Sequence, residues 1–321
     1  MKNDTKNNIL AYIRENNEGT ANEIAKKFNL SPQIIFRHLK KMQEDGLIYK
    51  IGLPPKVVYR AKQKDQEKPR SKYAEFMDKN YYYISSTGDI MPGEEGFVFW
   101  CQKNNLNIEK TAQEYFETLM KYENFKKDGL IDGLLKLKSS FSEVFLDELY
   151  YLDFYSIERF GKTKLGNILL YAKQGQNKFL MKEAINMVKA KILEIISKEK
   201  IEAVGFIPPT VPRAIQFQKE LEKELQLSLS KIILNKKIID TPIPQKSLNK
   251  LSDRVENARA TIVYKKDDKF YNKILLIDDA LGSGATLNEV AKKIKVEKGA
   301  KKIIGLALVG SFKGFDVVNE V

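Results

Sequence analysis

Over the first sixty residues, apolar positions fall in three short bursts at helical spacing. Ile9, Leu10 and Ile13 mark the first, over residues 5–16, and Gly19 ends it. "TANE" at 20–23 reads as a capping box, in which Thr20 takes an orphan N–H and Glu23 reaches back. Ile24, Ala25 and Phe28 then give a short helix its apolar side, and "NL" turns the chain. "SPQ" opens a third helix with Ser31 at its N-cap and Pro32 at the first helical position. Ile35, Leu39 and Met42 stripe that helix, and Gly46 stops it. "LIYKIGLPPKVVYRA" follows as two strands around a Gly-Leu-Pro-Pro turn.

The pattern lapses at 62–72, "KQKDQEKPRSK", a charged stretch without apolar residues that reads as a tether; the linker is set at 63–75. An α+β intermediate region is expected at 76–144. It comprises two β-rich runs in "YYYISSTGDIMPGEEGFVFWC" (81–101) and amphipathic helices near 107–122 and 128–145. Its aromatic residues suit a small core or a dimer contact better than base stacking. From about 163, helices at 163–173, 178–198, 211–225 and 285–296 alternate with strands at 201–207, 229–234, 273–278 and 301–309. Such alternation predicts a mainly parallel sheet with helices on both faces, whose ligands sit beyond the carboxyl ends of the strands.

Charge sharpens the picture at the N-terminus. The chain of 321 residues carries a formal charge of +13, and residues 1–62 hold 12 basic and 6 acidic residues, nearly half the excess in a fifth of the length. That balance favours a polyanionic partner. The order helix, helix, turn, helix, hairpin, and especially "GTANEIAKKFNLSPQIIFRHLKKMQEDGLI", resembles bacterial winged helix-turn-helix regulators. The resemblance implies that the helix starting at Ser31 enters the major groove of double-stranded DNA and that the hairpin touches the backbone. Ser31, Gln33, Arg37, His38, Lys40 and Lys41 are then the candidate readers, with Lys50 and Lys56 flanking the wing.

The single cysteine, Cys101, excludes an intramolecular disulfide and a cysteine-based zinc site, and the single histidine, His38, removes most histidine chemistry. No apolar run approaches membrane-spanning length and the first residues form no secretion signal, so a cytoplasmic protein is expected.

Candidate chemistry concentrates in "ILLIDDALGSGATL" (274–287). An apolar strand delivers Asp278 and Asp279 to its end. Gly282, Ser283 and Gly284 allow a tight turn of inward N–H groups, and Ala285 and Thr286 start a helix whose N-terminus attracts anions. The loop suits a phosphate, and the carboxylates suit sugar hydroxyls, directly or through Mg²⁺. Together these features describe a ribose 5-phosphate site.

The stretch resembles the phosphoribosyl pyrophosphate (PRPP) motif of type I phosphoribosyltransferases. The resemblance implies that Asp278 and Asp279 take the ribose, with Mg²⁺ accompanying PRPP, and that Gly282 to Thr286 take the 5-phosphate, Gly282 replacing a usual threonine. "DTPIPQKSLNKLSDRVENA" (240–258), "GFIPPTVPRAIQFQKEL" and "LDELYYLDFYSIERFGKTKLGNILLYAKQGQ" resemble blocks of the ComF family, with Pro208, Arg213, Gln218 and Lys173 at matching places. Arg213, Lys246 and Arg254 become candidates for the pyrophosphate. A ComF-like phosphoribosyltransferase domain is set at 145–321 and the winged helix at 1–62. ComF proteins often carry a cysteine-rich zinc module, which this chain cannot form. Its pairing with a winged helix is instead similar to the architecture of the purine-operon repressor. The expected function is a DNA-binding regulator, acting as a homodimer, with PRPP or a related nucleotide as effector. The alternative is an active phosphoribosyltransferase releasing pyrophosphate near nucleic acid in DNA uptake or defence.

Overall fold

The computed structural model describes residues 2–52, 57–61, 70–211, 213–237, 243 and 245–311; side chains are described from residue 5, and that of Lys246 is not. The chain forms two compact units, Met1–Arg70 and Ser71–Val321. In the first, α1 (Lys2–Glu15), α2 (Ala21–Phe28) and α3 (Pro32–Glu44) precede an antiparallel pair, β1 (Ile48–Ile51) and β2 (Val58–Ala61). The apolar positions of the three predicted bursts, with Ile48 and Tyr59, close one core. The Thr20–Glu23 capping box forms in both directions. Gly19 does more than end a helix, because it exchanges two backbone hydrogen bonds of 2.9 Å with Tyr59 and so ties the hairpin to the helices.

The second unit opens with α4 (Ala74–Asn80), β3 (Tyr82–Ile84), β4 (Ile90–Pro92), α5 (Gly93–Lys103), α6 (Ile108–Glu123), β5 (Ile131–Asp132) and α7 (Leu134–Ser140). It continues through β6 (Glu148–Phe154), β7 (Ser156–Ile157), β8 (Gly161–Lys162), α8 (Lys164–Gln174), α9 (Lys178–Glu199), β9 (Ala203–Phe206), α10 (Phe217–Leu225), β10 (Ser230–Lys231) and β11 (Ile233–Lys236). Last come α11 (Leu251–Thr261), β12 (Ile262–Lys265), β13 (Tyr271–Leu281), α12 (Ala285–Val296) and β14 (Ala300–Gly310). Six strands form one sheet in the order β10-β9-β13-β14-β6-β5, parallel except for β5.

The apolar run of β13 serves two cores at once. Ile274 and Leu276 point to one, with Leu287, Val290 and Ile294 of α12; Leu275 and Ile277 point to the other, with helices α8, α9 and α10. Strand residues alternate between faces, so a run without polar breaks requires cover on both sides. Among the described residues, no helix is long and apolar enough to cross a membrane.

Several local expectations change. "GFVFWC" is helix α5, not a strand: Phe97 and Cys101 face the core one turn apart, and Gly96 lets the helix lie against the Met91 carbonyl. Helical spacing of the buried positions overrides the β-propensity of Phe and Val. The expected helix at 128–145 is only β5 and α7. The stretch 229–234 divides between two sheets, and the helix expected from 211 starts at Phe217. Residues 76–144 belong to the same compact unit as 145–311, where Tyr81, Phe97 and Tyr115 share a core with Leu149 and Tyr151.

Candidate functional site

At the carboxyl ends of β9 and β13, one cavity of about 280 Å³ brings together most of the residues singled out in the sequence. Asp278, Asp279, Gly282, Ser283, Gly284, Ala285 and Thr286 all line it, as do Arg213 and Arg254. The side chain of Lys246 lies outside the described residues. β13 runs on to Leu281, paired with Gly310, so the two acids sit within the strand and not just past its end. Both are partly buried.

Each acid is already engaged. Asp279 accepts a hydrogen bond from Gln218 Nε2 at 3.0 Å and forms an ion pair with Lys173 through the same Oδ2. Asp278 Oδ1 accepts the backbone N–H of Asp279 at 2.7 Å. Burial, and then the neighbouring charge of Asp279, push the Asp278 carboxyl up to about 7. Gly284 adopts φ +79° as the N-cap of α12 and has no side chain with which to cap it, so the N–H groups that follow Ala285 in a twelve-residue helix open the loop to an anion. Ser283 Oγ lies 3.4 Å from the Ala285 nitrogen.

Arg254 is 8% exposed. Its Nε donates to the Leu248 carbonyl at 2.7 Å, its backbone carbonyl accepts from Gln245 Nε2 at 3.0 Å, and its Nη1 lies 3.8 Å from where a Cβ on Gly282 would stand. Lys236, at the end of β11, also lines the cavity and was not singled out in the sequence, where "NKK" looks like ordinary surface charge. Burial lowers the pKa of both Arg254 and Lys236. Cations held at that cost gain most from an entering anion.

The donor set does not fit a resident Mg²⁺. That ion requires near-octahedral oxygen ligands. Here one carboxylate is held by Lys173 and Gln218 and the other accepts from the backbone N–H of the next residue, Asp279. Among the described residues, no group of three His, Cys, Asp or Glu could hold a metal ion.

In the first unit, Ser31 is the N-cap of α3, though its hydroxyl makes no capping bond. Gln33, Arg37, Lys40 and Lys41 project from the exposed side of that helix together with Phe36, which is 52% exposed, while His38 is half-buried. Lys50 is exposed on β1, and Lys56 lies outside the described residues. The family of winged helix-turn-helix DNA-binding domains matches residues 2–49, which span the three helices and the start of β1. Residues 2–49 are a winged helix-turn-helix DNA-binding domain. No curated protein matches the chain. In this winged helix, the basic residues of α3 stand on the face opposite Ile35, Leu39 and Met42, which are buried.

Proposed function

We propose that the protein is a DNA-binding regulator whose second unit is a type I phosphoribosyltransferase-like domain, related to ComF, that binds PRPP or a related nucleotide as effector. The observation that carries this reading is the cavity at the end of β13. There an acidic pair, a helix N-terminus and four cations (Lys173, Arg213, Lys236, Arg254) line one space. Carboxylates that accept from sugar hydroxyls and N–H groups that hold a phosphate are the two needs of a ribose 5-phosphate. Arg213 and Arg254 would take the pyrophosphate or a further anionic group. The ligand biases DNA binding only if the DNA-competent and incompetent states differ in their affinity for it. Two copies on two half-sites would suit the winged helix.

Calorimetric titration with PRPP tests the site. Binding is expected for the wild type, with affinity reduced by about ten- to a hundredfold in Asp278→Asn/Asp279→Asn, the range for losing hydrogen bonds to charged groups. No heat with PRPP or any nucleoside monophosphate would sink the reading. DNA mobility shifts with and without PRPP test the regulation, and equal DNA affinity in both conditions would remove it. Pyrophosphate release with a panel of bases would point instead to the enzyme.

The DNA face yields a second expectation. Replacing Arg37, Lys40 and Lys41 by alanine should flatten the dependence of log K on log salt by about one unit for each phosphate no longer neutralised. Fluorescence anisotropy on a DNA duplex at several salt concentrations measures that slope. An unchanged slope would place the DNA elsewhere on the domain.

A further inference from the structure

Two adjacent carboxylates that face a phosphorylated ligand need a positive charge between them and it. A divalent cation would supply that charge by binding ligand oxygens and the acids together. In this chain the place is taken. Lys173, delivered by α8, forms an ion pair with Asp279 Oδ2, and Gln218, delivered by α10, donates to the same oxygen at 3.0 Å. The Asp279 side chain is only 11% exposed, so both partners hold it inside the cavity wall and not on a solvated surface. The other acid turns its Oδ1 to the Asp279 N–H.

We propose that Lys173 stands in for a divalent cation in this cavity, so that the phosphorylated sugar binds without Mg²⁺. The proposal rests on the reading above of the cavity as a site for PRPP or a related nucleotide. An ammonium has three N–H groups, so one can hold Asp279 while others serve ligand oxygens. The cavity lining supports the charge balance: Lys173, Arg213, Lys236 and Arg254 line the same space as Asp278 and Asp279, an excess of cations before any metal arrives. A metal entering at Asp279 would have to displace a lysine and an amide already in place, and would then stand beside the released ammonium. Lys173 is thus a binding residue for this site, and its role differs from that of a surface charge.

The test is calorimetric titration of the full chain with PRPP, once in EDTA and once in excess Mg²⁺. The affinities are expected to agree within about threefold, less than half a decade in Kd. Mg²⁺ or Mn²⁺ alone is expected to leave the melting temperature of the wild type unchanged. Lys173→Met should lose about thirtyfold or more in EDTA, as for a charge-assisted contact, and recover part of it with Mg²⁺, whereas Lys173→Arg keeps binding in EDTA. Heat in Mg²⁺ but not in EDTA for the wild type overturns the proposal and leaves the ligand site standing. Absence of heat in both conditions overturns the ligand site itself, and the proposal with it. The wild-type comparison decides the matter even if Lys173→Met fails to fold.

Discussion

Gly284→Ala is expected to destabilise the second unit by about 2–4 kcal/mol and to abolish ligand binding, from two causes that act at one atom. Gly284 holds φ +79°, the left-handed region, where a Cβ meets the following carbonyl. That Cβ would also stand 2.5 Å from Leu137 Cδ1. Leu137 is 1% exposed and packed in the core, so it has little room to withdraw. The chain can relieve the strain only by moving the turn, and the turn sets the direction of the N–H groups at the start of α12. Stability and binding should therefore fall together. Gly282 is the internal control. It is not among the residues with positive φ, and among the described residues Arg254 Nη1, at 3.8 Å, is the one heavy atom near its hypothetical Cβ. Gly282→Ala should change stability by no more than about 0.5 kcal/mol. Thermal denaturation of both variants, paired with PRPP titration, checks the contrast. Equal losses at the two positions would mean that crowding by Leu137 is not what fixes the loop.

What the sequence carried was local. "ILLI" and the helix at 285–296 could be read directly, because a strand buried on both faces is an unbroken apolar run and α12 keeps a clean helical period. The loop that follows the acids could be read for the same reason, since strand, turn and helix start lie within fourteen residues. β6 does not read as a strand, although it pairs with both β14 and β5. Its "ELYYLDF" carries Glu148 and Asp153, which look unfit for a sheet interior until Lys302 reaches the first and Lys126 lies 3.1 Å from the second. Those partners come from distant segments that pattern cannot supply. The walls of the cavity show the same limit. Arg254 comes from α11 in a stretch that reads as polar, and Lys236 ends a strand that the sequence merged with its neighbour. Lys173 stood out only by resemblance, and its pairing with Asp279 is a fact of three dimensions.

That pairing leaves Asp278 as the acid with an unsettled charge, and Asp278→Asn is expected to stabilise the protein at neutral and higher pH while weakening its ligand. In the unfolded chain an aspartate loses its proton near pH 4. In the fold, burial and the Asp279 charge keep the proton until about pH 7. Between these values the folded state binds more protons than the unfolded state, so stability falls as pH rises, and above the folded value the whole penalty is present. Asparagine mimics the protonated acid at every pH and can still accept from the Asp279 N–H. The variant should therefore match the wild type below pH 4 and gain stability progressively to about pH 7. It should then hold a plateau of at most about 4 kcal/mol, on the order of ten degrees in Tm for a unit of this size. Thermal melts from pH 4 to pH 8.5 measure the gap. A gap that stays constant with pH would mean that the gain is one of packing and not of charge. A gain that grows with pH, together with lost PRPP affinity, is the signature of a carboxylate kept at a cost to stability because the site uses its charge.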